Sequence, residues 1–268
     1  CVIINLRKVS NTEKYLFKEE KIHKLKNINS YLNGEKNVII KKINESISNF
    51  PKMVRGNVPY DNGHLILNKE EKEKLLSNDN RSKKFIKKLV GADEFINGIP
   101  RYCLWIRDDQ LEEALSIVEI KNRVKKNKEF RLSRNDIGAK KLAKKAHQFR
   151  EFNETKKFSI LIPTTTSERR LYIPIGMVDN STIITNAVHV LYDPPIYIFS
   201  ILCSRMHMLW TNTVGGKLES RTRYSSTLCY NTFPFPNLNN ESKKNLETLS
   251  FKLVDERESY PDLNLSNL

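Results

Sequence analysis

The residues best suited to binding chemistry lie in the segment Lys217–Ser225, whose sequence is KLESRTRYS. If this segment is one extended strand, alternation places four charged side chains on the same face: Lys217, Glu219, Arg221 and Arg223. Arginine can donate two hydrogen bonds to guanine O6 and N7, and glutamate can accept one from the cytosine amino group. The alternative is a solvated face with a ladder of salt bridges, and the segment alone favours neither. The preceding glycine pair, Gly215-Gly216, slightly favours base reading because glycine permits close backbone approach.

Two further segments carry weaker candidates for contacts with bases. Ser167-Glu-Arg-Arg170 opens a predicted strand after a threonine-rich turn, and its alternative is turn chemistry with surface ion pairs. Asn186 ends the polar part of a predicted strand that begins at Thr182, and asparagine can form two hydrogen bonds with adenine. A single asparagine is weak evidence, so its place in the fold must decide.

The run Asp193-Pro-Pro-Ile-Tyr197 is similar to the catalytic loop of adenine-N6 methyltransferases, in which a polar residue precedes two prolines and an aromatic residue. Here isoleucine occupies the aromatic position, and no glycine-rich loop precedes the run to hold S-adenosylmethionine. The prolines more simply start a helix. The sequence also has no clear PD…ExK site, P-loop or Gly-x-Ser-x-Gly elbow. We therefore predict no catalytic residue, and a self-contained methyltransferase that uses Asp193 is a weaker alternative.

The positive charge of the chain is concentrated in one segment. In all, 46 Lys and Arg residues against 31 Asp and Glu give a formal net charge of +15 and a pI near 9.6. Between Glu119 and Arg150 there are twelve basic and three acidic residues, a net +9, which is more than half of the excess. This clustering favours a polyanionic partner, since neutralised phosphates release counterions. The alternative is a lysine-rich surface produced by an AT-rich genome.

The apolar residues of the basic segment predict helices with one buried stripe and a basic outer face. The stripe is predicted from Ile120, Val124, Phe130, Leu132, Ile137 and Leu142. Ten basic residues are predicted to contact the phosphate backbone: Lys121, Arg123, Lys125, Lys126, Lys128, Arg131, Lys140, Lys141, Lys144 and Lys145.

Cysteine usage, hydropathy and the chain ends indicate the class of protein. The four cysteines form no CxxC pair and the five histidines no HxxxH pattern, so we expect neither disulfides nor a metal site. No apolar run approaches the length of a membrane span and no signal peptide opens the chain, so we expect a soluble cytoplasmic protein. The chain starts without Met in the apolar run Cys1–Leu6, a predicted strand, and stops in mid-pattern. We therefore expect a piece of a longer polypeptide.

The pattern of elements predicts an α+β fold after a Lys- and Asn-rich connector that runs to about residue 50. Helices are predicted over Lys69–Ser77, Ser82–Val90, Asp108–Ile117 and Glu241–Glu258. Strands are predicted over Arg101–Ile106, Phe158–Pro163, Arg169–Ile175 and Thr182–Val190. The run Pro195–Trp210 is apolar nearly all round and predicts a buried central helix. The expected architecture is mixed small β-sheets, this central helix and basic surface helices.

A series of ordered segments spans nearly the whole chain. It comprises GNVPYDNGHLIL at 56–67, GADEFING at 91–98, RYCLWI at 101–106, SERR at 167–170, SRMH at 204–207, GKLESRTRYS at 216–225 and NTFPFP at 231–236. The series resembles the C-terminal part of MmeI-like restriction-modification enzymes. Members of that family are large single polypeptides that join an endonuclease, an adenine-N6 DNA methyltransferase and a target-recognition domain.

The resemblance implies a division of the chain into three parts. Residues 1–50 would be the tail of the preceding methyltransferase domain and a connector, residues 51–230 a DNA target-recognition domain, and residues 231–268 a C-terminal helical segment. The family's base-reading positions fall on Glu219, Arg221, Arg223, Asn186 and Ala187, with Ser220 and Glu168 as weaker candidates. The base that each residue reads does not carry over, since family members vary these side chains.

The resemblance also implies the partners. They are double-stranded DNA and the upstream methyltransferase domain of the same polypeptide, in a prokaryotic cell. S-adenosylmethionine, and Mg²⁺ for cleavage, would bind the parent enzyme and not this part of it. Two alternatives stay open at this point: a separate specificity subunit that docks a methyltransferase, and an RNA-binding accessory protein.

Overall fold

The computed structural model describes residues 4–5, 8, 10–18, 20–260 and 262–267. The strand predicted over Cys1–Leu6 lies largely outside these ranges. Within them the chain folds into short strands and helices in several small sheets, which confirms the predicted α+β class. None of the helices in these ranges is both long and apolar enough to cross a membrane.

Thirteen short strands form four small sheets in the described ranges. Their bounds are β1 Lys14–Lys18, β2 Lys21–Leu25, β3 Val54–Arg55, β4 Ile66–Leu67, β5 Ile86–Val90, β6 Tyr102–Leu104, β7 Phe158–Pro163, β8 Thr165–Thr166, β9 Gly176–Asp179, β10 Thr182–Ile184, β11 Val188–Tyr192, β12 Gly216–Leu218 and β13 Arg221–Arg223. The sheets have the orders β1-β2, β10-β5-β6-β4, β3-β11-β7-β9 and β12-β13-β8.

Eight α-helices accompany these sheets in the same part of the chain. Their bounds are α1 Lys69–Asn78, α2 Ala92–Asn97, α3 Leu111–Leu115, α4 Val118–Ser133, α5 Ile137–Leu142, α6 Tyr197–Leu202, α7 Arg205–Val214 and α8 Asn240–Glu258. The predictions for α1 and α8 are confirmed, and the Asn68 and Asn239 side chains cap their first turns. The helix predicted over Asp108–Ile117 is a short 3-10 turn followed by α3.

The inner strands β11 and β7 of the sheet β3-β11-β7-β9 are buried on both faces, which explains their largely apolar sequences. Along β7, Ile160 and Ile162 pack into the main core beneath α6, whereas Leu161 between them enters a smaller core on the other face. That smaller core also contains Ile184 of β10 and Val90 of β5. It therefore joins this sheet to the neighbouring sheet β10-β5-β6-β4.

The helix predicted over Ser82–Val90 is wrong, because this segment is a 3-10 turn followed by strand β5. Its apolar residues are spaced as on one helix face. In the structure, however, the successive side chains Leu89 and Val90 enter different cores. β5 pairs in parallel with β10 and antiparallel with β6. These long-range backbone hydrogen bonds outweigh the preference for a helix that the local apolar spacing indicates.

The strand predicted over Arg169–Ile175 is also wrong, because this segment forms turns and irregular chain. Leu171 is 84% exposed, so the expected alternation of buried residues fails at that point. The strand predicted over Thr182–Val190 is divided into β10 and β11, which belong to different sheets. Residues 185–187 consequently form a link between two sheets.

The buried helix predicted over Pro195–Trp210 consists of two helices, α6 and α7. The Ser204 side chain accepts a hydrogen bond from the His207 amide and so caps the start of α7. α6 is buried as predicted, but α7 exposes Met206 and Leu209. On its other side, α6 contacts α8, where the Ser200 and Ser250 hydroxyls lie 2.7 Å apart. The C-terminal helix therefore packs on the main core of the fold.

Candidate nucleic-acid interface

The segment predicted as a single strand, Lys217–Ser225, is instead a β-hairpin made of β12 and β13. Its register places Leu218 opposite Arg221. Glu219 and Ser220 form the two-residue turn between them, and Glu219 has a φ of 58°, which favours glycine or asparagine. The residues of this turn are Glu-Ser and not the Asn-Gly or Asp-Gly pairs that typically mark such a turn. The chain reversal was therefore absent from the sequence-based prediction.

The hairpin has two distinct faces, because opposed residues of an antiparallel pair lie on the same side. Arg221 shares its face with Leu218, and Arg223, two residues along the strand, lies on that face too. Lys217 lies on the opposite face, where its Nζ donates to Oγ1 of the buried Thr222 at 2.8 Å. The predicted row of four charges is thus wrong for Lys217, because the chain reverses after it.

Exposed donors and acceptors gather around the hairpin turn. Glu219 Oε2 lies 2.9 Å from Arg221 Nη2, with 77% and 46% of the respective side chains exposed. Glu168, which follows β8, lies beside the same turn. A hydrogen bond from its own backbone amide and a second from the Ser220 side chain lower the pKa of the Glu168 carboxyl, and the nearby charges of Arg169 and Arg221 act in the same direction.

The link between β10 and β11 lies beside the base of the hairpin. The Ala187 carbonyl accepts hydrogen bonds from the backbone amide and the hydroxyl of Thr164, at 3.5 and 3.1 Å. The Thr164 carbonyl in turn accepts from the Tyr224 amide at 2.9 Å. Asn186 is held from behind, because its amide donates to the Asn57 carbonyl at 3.1 Å. The structure therefore brings this link next to the end of β13.

The positions predicted to read bases consequently lie on neighbouring surface elements. Six of them are exposed, namely Glu168, Ala187, Glu219, Ser220, Arg221 and Arg223, and Asn186 is half-buried. They come from three separate segments that β8 and Thr164 hold together. Their contacts with individual bases stay predictions.

A buried and uncharged layer supports the hairpin from below. Tyr224, which follows β13, has its hydroxyl 2.9 Å from Nε2 of His207, and both side chains are buried. Burial lowers the pKa of His207 to about 3 and that of the neighbouring His189 to about 4, so both imidazoles are neutral at pH 7. Sequence analysis missed this layer. Its one signal is the alternation of Thr222 and Tyr224 with the two arginines of the hairpin.

Most of the predicted phosphate-binding lysines are exposed on α4, α5 and the turn that follows. Lys121, Lys125 and Lys128 succeed one another at helical spacing on α4. The other exposed members are Lys126, Lys140, Lys141 and Lys144. Lys145 is exposed but forms an ion pair with Asp108 at 2.6 Å. These side chains are available to a polyanion, and their contacts with phosphate stay predictions.

The predicted phosphate contact of Arg131 is wrong, because its side chain is fully buried. Its guanidinium donates only to backbone carbonyls, at distances of 2.7 to 3.2 Å: those of Pro59, Tyr60, Leu142, Lys145 and Gln148. Arg131 therefore ties α4 to the loop before β4 and to the turn after α5. This is a structural role that a run of basic residues does not reveal.

Arg123 and the predicted buried stripe need a similar correction. Arg123 forms an ion pair with Glu71 at 2.7 Å and donates to the His64 carbonyl at 3.2 Å, and only 17% of its side chain is exposed. In the stripe, Ile120 and Val124 are buried as predicted, but Leu132 and Ile137 are exposed, at 49% and 71%. Polar Asn127 and Arg131 fill the buried positions of α4. The helix therefore packs through hydrogen bonds as well as apolar contacts.

Asp193, the polar residue of the methyltransferase-like run, is engaged in a turn. Its carboxylate accepts from the Thr155 hydroxyl and from the backbone amides of Lys156 and Lys157, at 2.7 to 2.8 Å. Burial raises the pKa of Asp193, but these hydrogen bonds outweigh it and the pKa lies below its usual value. A carboxylate with three donors has little capacity left to hold an adenine amino group.

The described residues also contain no group of three or more His, Cys, Asp or Glu side chains that could hold a metal ion.

Comparison with known proteins identifies the family. The model of the MmeI target recognition domain matches residues 34–237. The chain belongs to the MmeI target recognition domain family. The match covers the hairpin, the link at residues 185–187 and the basic helices, so all the predicted contact residues lie inside the family domain.

Two relatives agree with this assignment. The chain is 38% identical over 249 residues to a Bacillus subtilis (strain 168) protein named DNA methyltransferase A, covering 93% of this chain and 28% of that protein. It also superposes with a TM-score of 0.85 and 37% identity on the solved structure of the Type IIL restriction-modification enzyme MmeI in complex with DNA, covering 95% of this chain and 35% of that one. The chain thus spans about a third of the length of these relatives.

Proposed function

We propose that this chain recognises a specific sequence in double-stranded DNA, as the target-recognition part of a longer restriction-modification polypeptide. The observation that carries the proposal is the β12–β13 hairpin. It presents Arg221 and Arg223 on one exposed face, with the Glu219–Ser220 turn and Glu168 beside it. Membership of the MmeI target recognition domain family supports the proposal, as does similarity to a protein solved in complex with DNA.

The proposed contacts with DNA are of two kinds, to base edges and to phosphates. The hairpin and the Asn186–Ala187 link supply hydrogen-bonding groups for base edges in the major groove. The exposed lysines of α4 and α5 contact phosphates and are insensitive to sequence. Arg123 and Arg131 take no part in these contacts, because they hold the fold together.

The parent polypeptide is proposed to carry an adenine-N6 methyltransferase domain before this region, joined to an endonuclease domain as in MmeI-like enzymes. The name of the Bacillus subtilis relative and the partial coverage of both relatives support this view. S-adenosylmethionine, and Mg²⁺ for cleavage, would bind outside this chain. The proposed location of the protein is the cytoplasm of a prokaryotic cell, which contains the DNA.

The decisive experiment compares two variants on recognised and random DNA. The recognised sequence is first selected from a randomised duplex library with the chain. Arg221→Ala should weaken binding to that sequence by about 1–3 kcal/mol and relax the choice at one base pair. Lys125→Ala should weaken binding to every duplex alike. It should also reduce the magnitude of the slope of log K against log salt concentration by about 0.9, the contribution of one phosphate contact.

Matched controls separate these effects from general changes of charge. Arg81 forms an exposed ion pair with Asp79, two residues before it, just as Arg221 does with Glu219. Arg81→Ala should leave sequence preference unchanged, and Lys252→Ala on α8 serves the same purpose for Lys125. Equal losses on recognised and random DNA for Arg221→Ala would contradict the proposal. Preferential binding of structured RNA over duplex at fixed salt would replace it with the RNA-binding alternative.

A further inference from the structure

The face of the hairpin that carries the two arginines also carries one exposed apolar side chain, Leu218. We infer that Leu218 contacts the C5 methyl group of a thymine, in the base pair that Arg221 contacts or within about two steps of it. Leu218 would then be a further specificity-determining residue. This inference rests on the proposed function, and it adds a contact that hydrogen-bond chemistry does not provide.

The geometry of the hairpin fixes where Leu218 can act. Leu218 and Arg221 are directly opposed residues of β12 and β13. In an antiparallel pair, opposed Cβ atoms are about 4.5–5.5 Å apart and the side chains lie on the same face. Successive base pairs are separated by roughly 3.4 Å along the helix axis. A base edge within reach of Arg221 is therefore at most about two steps from a base edge within reach of Leu218.

The surroundings of Leu218 leave its side chain open on that face. It is 45% exposed, although its neighbours around the turn are charged or polar. β12 is the edge strand of its sheet, so no further strand covers it in the part of the chain that the structure describes. Gly216, two residues earlier on the same face, has no atom within 4 Å of the position that a Cβ would occupy. A groove wall can consequently approach this strand closely.

The chemistry of the major groove identifies what Leu218 would contact. Its base edges display hydrogen-bond donors and acceptors, and the one apolar group among them is the thymine methyl. Guanine, adenine and cytosine edges would leave an apolar side chain against unpaired polar atoms, which is unfavourable. A leucine in the middle of a charged reading face therefore selects for a methyl group.

Replacement of thymine by deoxyuridine tests this contact, because it removes the methyl group and nothing else. In the sequence recognised by the chain, each thymine is replaced in turn, and binding is measured for the wild type and for Leu218→Ala. We expect one replacement, within about two steps of the pair affected by Arg221→Ala, to weaken wild-type binding about fourfold, the factor that corresponds to burial of one methyl-sized group. Leu218→Ala should bind the thymine and deoxyuridine duplexes equally.

Leu249→Ala provides the matched control, since Leu249 lies on α8 and is 53% exposed. This variant should keep the full wild-type sensitivity to deoxyuridine. The inference is overturned if the recognised sequence has no thymine near the Arg221-dependent pair, if no replacement weakens wild-type binding, or if Leu218→Ala stays as sensitive as the wild type. In each of these cases the chain would still bind DNA in a sequence-specific way, so the proposed function would stand. A chain that prefers no duplex would instead contradict the proposed function.

Discussion

Replacement of Arg131 by methionine is the sharpest test of how the basic segment is built. The sequence groups Arg131 with the phosphate-binding residues of α4, whereas the structure buries it completely. Methionine keeps most of the length of the side chain and its apolar stem, but it removes the charge and every donor. The substitution therefore isolates the hydrogen bonds of the guanidinium.

The expected cost follows from the five carbonyl oxygens that accept from Arg131. A net hydrogen bond to a charged group contributes about 1.5–3 kcal/mol, but such contributions are not additive, and removal of the buried charge recovers part of its desolvation cost. Each buried carbonyl left without its donor costs about 1–3 kcal/mol, and the sum over the five, reduced by the recovered desolvation cost, is on the order of 3–5 kcal/mol. We expect the free energy of unfolding of Arg131→Met to fall by about this amount.

Urea unfolding of the chain, followed by circular dichroism and extrapolated to water, measures this loss. Lys125→Met is the matched control, because Lys125 lies on the same helix and 74% of its side chain is exposed. Its free energy of unfolding should change by less than about 0.5 kcal/mol. An Arg131→Met variant as stable as the wild type, with a reduced salt dependence of DNA binding, would refute the structural role and restore the phosphate contact predicted from sequence.

Three further variants test other parts of the fold. Gly56→Ala should lower the free energy of unfolding by about 1–3 kcal/mol in urea, because its Cβ would lie 2.1 Å from the Thr185 carbonyl oxygen. Gly216→Ala should leave the free energy of unfolding unchanged, because its Cβ enters open space, but it should weaken binding in a titration with the recognised DNA. A loss of stability in this variant would contradict the described hairpin. Asp193→Asn should lower the free energy of unfolding by about 1 kcal/mol at pH 7, because the amide keeps only one of the two oxygens that accept from the Lys156 and Lys157 amides. Because the folded pKa of Asp193 is lowered, its contribution is complete above the unfolded value of about 3.9 and is lost as the pH falls through the folded value. As the pH falls below about 4, the free energies of unfolding of the wild type and of Asp193→Asn should therefore become more alike. A difference between them that does not change with pH would contradict this role.

Local patterns in the sequence predicted the elements whose signals lie within a few residues. α1 and α8 have asparagine caps at their starts, and both helices were predicted within about one residue of their bounds. The sequence of Phe158–Pro163 identified β7 as a strand, and the structure shows that both of its faces are covered. The position of the charge excess indicated the basic helices α4 and α5, whose lysines are exposed. The spacing of Arg221 and Arg223, two residues apart, placed both arginines on one face of a strand, and the structure exposes that face. The family resemblance supplied the predicted contact residues, which the structure brings onto neighbouring surface elements.

Other features depended on contacts between distant parts of the chain. The segment that contains Leu89 has the spacing of a helix face, and it became a strand because β6 and β10 offered backbone partners on both sides. Glu219 adopts a positive φ because the pairing of β12 with β13 and the burial of Thr222 require a reversal there, although no local signal marks it. Arg131 follows Ile120, Val124 and Asn127 at helical spacing, but its charge grouped it with the exposed basic residues of α4, and only its distant carbonyl partners explain its burial.

The sequence by itself determined the composition of the surface, the class of fold and the residue types available for contact with DNA. Only the tertiary structure decided which basic side chains face solvent, where the chain turns, and how Glu168, Asn186 and the hairpin come to lie side by side. The physical reason is that helix caps and apolar periodicity act over a few residues, whereas strand pairing and burial of a polar group depend on partners far away in the chain. Where the two disagreed, as at residues 82–90 and at Arg131, the long-range contacts prevailed.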